Sequence, residues 1–107
     1  MNTPAIPPQL RDKADPLQRL CRKHGVRQLE LFGSAATGAF DPAHSDLDFL
    51  VEFEPLPEGR RADAYFGLRE GLIELFGRPV DLVMVSAVRN PYFLENIASS
   101  RVLLYAA

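Results

Sequence analysis

The sequence offers almost no sulfur or imidazole ligands. Cys21 is the only cysteine in 107 residues, and His24 and His44 are the only histidines. A disulfide within the chain is therefore excluded, and so is a zinc site built from thiolates and imidazoles. Because Cys21 stands in an apolar stretch, we expect it to pack in a core. A metal ion bound by this chain must be held by oxygen atoms.

Long apolar runs are also missing, and neither sign of charge dominates. The longest apolar runs are only a few residues, and residues 1–10 show neither the basic start nor the apolar stretch of a secretory signal. A formal net charge of -2 does not suit a protein that holds long nucleic acid on a uniformly basic surface, although it is compatible with a local basic patch. We therefore expect a cytoplasmic protein that binds no membrane and forms no stable complex with nucleic acid.

The length and composition are those of one globular domain. Of the 107 residues, 47% are apolar and 24% are charged, and a chain of this size has little room for a second lobe. Residues 1–8 contain three prolines and no apolar period, which predicts a flexible N-terminal arm. Residues 9–107 are expected to form the single domain.

Apolar periodicity and turn residues predict alternating helices and strands. Helices are expected at residues 15–24, 62–76 and 91–99, with Asp15 as the N-cap of the first and a short extra helix after Gly33. Strands are expected at residues 26–32, 47–53, 79–85 and 102–105. Gly67 and Gly71 weaken the second long helix. This order predicts an α/β (α+β) fold, with helices on one face of a small mixed sheet of about four strands.

The first candidate site is the turn at Gly33-Ser34, where a strand ends and a helix is expected to begin. Backbone N–H groups at a helix N-terminus bind anions, a glycine lets a phosphate approach the backbone, and a serine hydroxyl adds a donor. An ordinary turn or helix cap can have the same sequence. The motif therefore indicates a phosphate site without requiring one.

The second candidate site is the pair Asp46 and Asp48 at the start of the strand 47–53. Alternate strand residues point the same way, so the two carboxylates are expected side by side on one face. Their charges repel unless a cation lies between them, and hard oxygen ligands suit Mg²⁺. The alternative is that Asp46 ends a loop and Asp48 faces solvent on an edge strand.

Asp81 is a third acid of interest because it interrupts the apolar strand 79–85. Such a charged side chain is tolerated if this face of the strand is solvated. The alternative is that the charge is needed for function. If this strand lies beside the strand 47–53, Asp81 brings a third carboxylate to the same metal ions. Both explanations are compatible with the sequence.

Together, these elements occur in an order that resembles the polymerase-β-like nucleotidyltransferase superfamily. The matching segments are Leu31-Phe32-Gly33-Ser34, residues 46–51 after eleven intervening residues, and residues 78–83. The similarity covers about residues 26–105, and three elements in this order are far more specific than one short motif. More narrowly, the chain is similar to the minimal nucleotidyltransferase (MNT) proteins that act as antitoxins to HEPN toxins.

The resemblance implies an Mg²⁺-dependent protein adenylyltransferase. By this similarity, Gly33 and Ser34 hold the triphosphate of ATP. Two Mg²⁺ ions are held by Asp46 and Asp48, and Asp81 completes the site. The implied acceptor is a tyrosine hydroxyl of a partner HEPN toxin, which is neutralised when it receives AMP.

The segment after Gly33-Ser34 departs from the family pattern. Many relatives carry arginine there, whereas residues 35–37 of this chain are Ala-Ala-Thr. Phosphate binding is then weaker, or an arginine comes from elsewhere, the candidates being Arg27, Arg60, Arg61 and Arg78. The loss favours an alternative function, a catalytically weak antitoxin that blocks its toxin by contact alone. The three intact acids count against that alternative.

Residues 91–99 form a candidate partner surface. They carry more apolar surface than a terminal helix needs, in Tyr92, Phe93, Leu94 and Ile97. Part of this surface is expected to touch the toxin. Packing of the same side chains on the sheet is the alternative.

Overall fold

The computed structural model describes residues 12–33, 46–57, 59–88, 92 and 101–107. Within them lie two helices, α1 (Ala14–Lys23) and α2 (Arg60–Phe76). The same residues contain four strands and a short 3-10 turn: β1 (Val26–Phe32), β2 (Leu47–Phe53), β3 (Val80–Met84), the turn Val85–Ala87, and β4 (Val102–Ala106).

Several predicted segments fall outside the described residues and stay predictions. They are the N-terminal arm at residues 1–8, the short helix after Gly33 and, apart from Tyr92, the helix at residues 91–99. The division into an arm and a domain of residues 9–107 is therefore also still a prediction. Neither helix in the described part of the chain is long and apolar enough to cross a membrane.

The four strands form one mixed sheet in the order β3-β2-β1-β4. β1 runs antiparallel to both β2 and β4, whereas β2 and β3 are parallel. Parallel neighbours need a crossover connection, and α2 supplies it between β2 and β3. The predicted small mixed sheet of four strands is confirmed.

One face of the sheet is covered by the helices and holds the core. Along β2, Leu47, Phe49 and Val51 alternate toward this face and are almost completely buried. The helices add apolar side chains to the same cluster, namely Leu17, Cys21, Leu68 and Leu72. Burial raises the pKa of the Cys21 thiol to about 12, which agrees with its predicted role as a packed apolar side chain.

The two helices meet through the glycines of α2. A Cβ built on Gly67 would lie 2.9 Å from Nδ1 of His24, and one built on Gly71 would overlap the side chain of Leu20. A side chain at either position would force His24 or Leu20 to move. These glycines, which weaken the helix by local propensity, therefore allow the close contact between the helices.

Six element ends differ from the predictions by one or two residues, namely both ends of α1, the start of α2, both ends of β3 and the end of β4. α1 begins at Ala14, so Asp15 is not the N-cap but lies in the first turn, where its charge complements the helix dipole. α2 begins at Arg60, two residues early, directly after Gly59. β3 ends at Met84 because the chain turns into the 3-10 segment at Val85. None of these shifts moves a candidate site residue to another element.

Candidate active site

Asp48 and Asp81 occupy paired positions of the parallel strands β2 and β3. Side chains at paired positions of neighbouring strands point to the same face of a sheet. Since Leu47 and Phe49 point into the core, Asp48 lies on the face away from the helices, and Asp81 lies beside it. Asp48 is half-buried and Asp81 is exposed. The crossover through α2 thus brings together two acids that are far apart in sequence.

Asp46 stands just before β2 and is exposed. Burial raises the pKa of the Asp48 carboxyl above its ordinary value, and the negative charges of Asp81 and Asp46 raise it further. All three acids are therefore near enough to interact electrostatically at Asp48. Such a concentration of negative charge is unfavourable by itself and is relieved by a bound cation.

Gly33 ends β1 directly beside Asp48. The preceding residue, Phe32, is the partner of Asp48 in the antiparallel pair of β1 and β2. Gly33 has a φ of 75°, in the left-handed region that favours glycine, and a Cβ at this position would overlap Oδ2 of Asp48. The backbone conformation and the contact with Asp48 therefore both require glycine at this position, in addition to the predicted approach of a phosphate. Ser34, the predicted hydroxyl donor, lies outside the described residues.

The described acids suit a hard divalent cation in chemistry but do not enclose one. Among the described residues, no group of three or more His, Cys, Asp or Glu side chains is arranged to hold a metal ion. The chain supplies the pair of Asp48 and Asp81, with Asp46 near enough to act on Asp48. Mg²⁺ prefers oxygen ligands and is usually held by one or two carboxylates together with substrate phosphates and water. An incomplete protein ligand set is compatible with a metal site that is shared with a nucleotide.

Three of the four candidate replacement arginines lie at the far end of the sheet from Asp48. Arg27 and Arg61 line a cavity of about 300 Å³ beside the ends of β2 and β3. Arg60 lines a neighbouring cavity of about 440 Å³. Because β2 has seven residues, this end is roughly 20 Å from the acids. The idea that one of these three replaces the missing arginine is therefore wrong for phosphates bound near Asp48.

Arg78 is placed differently from the other three. It directly precedes Pro79, whose carbonyl accepts a hydrogen bond from the backbone N–H of Leu47 at 3.2 Å. Leu47 lies between Asp46 and Asp48, so Arg78 is at the same end of the sheet as the candidate site. Of the four arginines, Arg78 remains the candidate for a nucleotide contact.

Arg101 is a cation near the site that the sequence does not single out. Its Nε lies 3.6 Å from Oε2 of Glu30, and Glu30 is paired across the sheet with Leu50. These three residues line a cavity of about 170 Å³ on the same face as Asp48. The buried Nε has no hydrogen-bond partner within the described part of the chain. This position follows from the pairing of β4 with β1. In the sequence, a single arginine before a strand gives no indication that it lies near the site.

Tyr65 is a second residue near the site whose role the sequence does not predict. It lies within the helix predicted at residues 62–76, and its ring packs against the core. Its hydroxyl donates a hydrogen bond of 2.7 Å to the carbonyl of Leu82, the residue after Asp81. The available signal is a tyrosine on a buried helix face, because a buried hydroxyl needs a partner.

Comparison with known protein families gives one match over most of the chain. The family described as the nucleotidyltransferase domain matches residues 16–104. This range contains Gly33, Asp46, Asp48 and Asp81. The match therefore includes both strands that carry the acids and the crossover between them.

Two archaeal relatives are similar in sequence. A Methanocaldococcus jannaschii protein, named as a candidate protein adenylyltransferase, is 37% identical over 78 residues, which are 73% of this chain and 76% of the relative. The protein adenylyltransferase MntA of Thermococcus cleftensis is 37% identical over 73 residues, which are 68% of this chain and 70% of the relative. Both likenesses extend over most of each protein.

Solved structures share the fold. A candidate minimal nucleotidyltransferase is 33% identical, with a TM-score of 0.72 over 87% of this chain and 90% of that one. The complex of a tri-AMPylated Shewanella oneidensis HEPN toxin with its MNT antitoxin gives 17% identity and a TM-score of 0.62, over 91% and 72% of the two chains. A toxin–antitoxin complex with AMP-PNP gives 20% identity and a TM-score of 0.65, over 88% and 73%. The last two likenesses concern the fold alone.

Proposed function

The chain belongs to the nucleotidyltransferase domain family, among the minimal proteins related to the protein adenylyltransferases, and we propose that it transfers AMP from ATP to a hydroxyl of a partner protein. The observation that carries this proposal is the pairing of Asp48 with Asp81 on the face of the sheet away from α1 and α2. Two adjacent carboxylates suit a reaction in which metal-bound phosphates are held and a hydroxyl is activated. The names of the two archaeal relatives support AMP as the transferred group.

The site residues fill three roles in the proposed reaction. Gly33 and Ser34 bind the triphosphate, while Asp46 and Asp48 are the ligands for two Mg²⁺ ions. When bound, the ions neutralise phosphate charge and stabilise the attacking and leaving oxygens. Asp81 orients the acceptor hydroxyl and takes its proton as the new bond to the α-phosphorus forms. The bond between the α-phosphorus and the bridging oxygen breaks, and pyrophosphate leaves.

The proposed acceptor is a tyrosine of a HEPN-type toxin, so that this chain acts as an antitoxin. Support comes from the shared fold with the MNT antitoxin bound to a tri-AMPylated HEPN toxin. The fold shared with a toxin–antitoxin complex containing AMP-PNP supports ATP as the nucleotide. We expect both molecules to be cytoplasmic.

A catalytically weak antitoxin that acts by contact alone is the second candidate. The Ala-Ala-Thr sequence at residues 35–37, where many relatives have arginine, favours it. The charge concentrated at Asp48 favours the enzyme, because three adjacent acids carry an electrostatic cost that simple docking does not explain. The two functions differ in whether the partner becomes covalently modified.

Mass spectrometry of the partner separates the two candidates. A candidate HEPN-type protein is sought in the neighbouring reading frame and incubated with the chain, ATP and Mg²⁺, and its intact mass is measured. We expect the partner to gain one or more AMP groups and to gain none with Asp48→Asn. Inhibition of the toxin without any gain in mass would instead establish the contact-only antitoxin.

A further inference from the structure

β3 carries Asp81 at the edge of the sheet, with a described strand on one side only. It has five residues, and its register with β2 places Asp81 beside Asp48. The side chain of Asp81 is exposed, so its position depends mainly on the backbone of this short strand. Parallel pairing is slightly weaker per residue than antiparallel pairing. A second restraint on β3 would therefore matter for the position of the carboxylate.

Tyr65 supplies such a restraint from the outer side of β3. Carbonyl groups along a strand alternate between its two edges. The carbonyl of Pro79 faces β2, where it accepts the N–H of Leu47, so the carbonyl of Leu82, three residues later, faces outward. This outward carbonyl accepts the hydrogen bond from the Tyr65 hydroxyl at 2.7 Å. β3 is thus held by β2 on one edge and by α2 on the other.

The Tyr65 side chain is itself held in place. Its ring is half-buried and packs against the core cluster. It also makes an edge-to-face contact with Phe66, at 5.2 Å between ring centroids and an interplanar angle of 82°. A fixed ring gives its hydroxyl a defined position, so the hydrogen bond can restrain the strand.

We infer that Tyr65 is a positioning residue for Asp81, acting through the backbone of Leu82. This inference rests on the proposed transferase function, because the position of Asp81 matters only if its carboxylate acts in a reaction. Small displacements of a reacting group reduce rates strongly, since proximity and alignment account for much of a catalysed reaction. The hydroxyl itself is on the helix side of the sheet edge and makes no contact with substrate in this scheme.

Tyr65→Phe removes the hydroxyl and keeps the ring. The matched control is Tyr105→Phe, which removes a hydroxyl from a half-buried tyrosine on β4, the opposite edge strand. In the metal-free, nucleotide-free protein, we expect amide hydrogen exchange in β3 to speed up roughly tenfold in Tyr65→Phe, with β1 and β4 unchanged. Equal exchange in β3 for the wild type and Tyr65→Phe would overturn the inference, and so would a uniform increase over the whole sheet.

Kinetics test the link to Asp81. With ATP and the HEPN-type partner, we expect Tyr65→Phe to lower the rate of AMP transfer about three- to tenfold, with KM for ATP within about twofold of the wild type. In the Asp81→Asn background the same substitution should have no further effect, because its action runs through that carboxylate. Independent, multiplicative effects of the two substitutions would contradict the inference.

The two measurements also separate this inference from the proposed function. If the wild type transfers no AMP, the proposed function fails, while the exchange measurement still decides whether Tyr65 restrains β3. If the wild type is active and Tyr65→Phe matches it in rate and KM, only the positioning role is lost.

Discussion

The backbone of Gly33 lies so close to the side chain of Asp48 that no methyl group fits on the Cα of Gly33. A Cβ on Gly33 would lie 3.1 Å from Cγ of Asp48 and would overlap the carboxylate oxygen beyond it. The turn after β1 and the acid of β2 are thus in direct contact. A side chain added at Gly33 is expected to displace the carboxylate of Asp48.

Gly33→Ala is expected to abolish AMP transfer and to lower stability. The left-handed backbone costs a residue with a side chain about 1–2 kcal/mol, and the collision with Asp48 adds to it. The matched control is Gly77→Ala, since Gly77 has a φ of 65° but nothing within 4 Å of its Cβ position. Urea denaturation and transfer assays on both variants measure the difference. Similar activity in the two variants would show that the collision is unimportant.

Asp81→Asn is expected to fold normally and to lose transfer activity by roughly a hundredfold or more. The substitution keeps the shape of the side chain and removes one of the charges that repel Asp48, so stability should be equal or slightly greater. Binding of ATP should change less than the chemical step. Thermal melting, ATP calorimetry and single-turnover kinetics measure these three quantities. A large loss of ATP affinity with an unchanged chemical step would reverse the assigned role.

The pH dependence of stability should reveal the raised pKa of Asp48. Its pKa is raised above 3.8 in the folded protein, so the folded state keeps this proton to higher pH than the unfolded chain. The free energy of unfolding therefore falls as pH rises from 3.8 through the folded-state pKa. Asp48→Asn has no such proton, and its stability relative to the wild type should grow over this pH window in metal-free buffer. Parallel pH curves for the two proteins would count against the raised pKa.

ATP binding is expected to require a divalent cation. The acids Asp46 and Asp48 repel the triphosphate unless a cation lies between them. Titration calorimetry with Mg²⁺ should give measurable binding, and titration in EDTA should give little or none. The double variant Asp46→Asn plus Asp48→Asn should lose the advantage of Mg²⁺. Equal affinity with Mg²⁺ and with EDTA would argue against metal-bridged binding.

Tyr92 is expected to contribute to the surface that binds the toxin. Its side chain is 68% exposed, while Phe93, Leu94 and Ile97 lie outside the described residues. Tyr92→Ala should therefore weaken co-purification with the proposed HEPN-type partner while leaving the melting temperature nearly unchanged. The exposed Phe66 on α2 offers a comparison, because Phe66→Ala removes an aromatic ring elsewhere on the surface. Equal effects of the two substitutions would remove the support for this interface.

The strands that carry the site follow directly from local sequence. β1 and β2 have the predicted bounds, because apolar residues alternate and turn residues stand at both ends. The opposite directions of Asp48 and Phe49 also follow from this alternation. The local sequence pattern therefore indicates which acidic side chains point away from the core.

The contacts between elements were less accessible from sequence. That Asp48 and Asp81 are direct partners depends on the register of β2 with β3, which is set across a crossover by packing in three dimensions. Gly67 and Gly71 oppose helix formation locally, and their advantage appears only where α1 contacts α2. The locations of Arg27, Arg60 and Arg61 likewise depend on strand direction, which no local pattern gives.

The pairing of Asp48 with Asp81 exists only in the folded chain, since α2 must first bring β3 beside β2. A ligand that requires both acids binds the native state and not the unfolded state, so it protects the chain from unfolding by mass action. By the proposed function, ATP with Mg²⁺ would be such a ligand, and its presence should slow proteolysis of the chain.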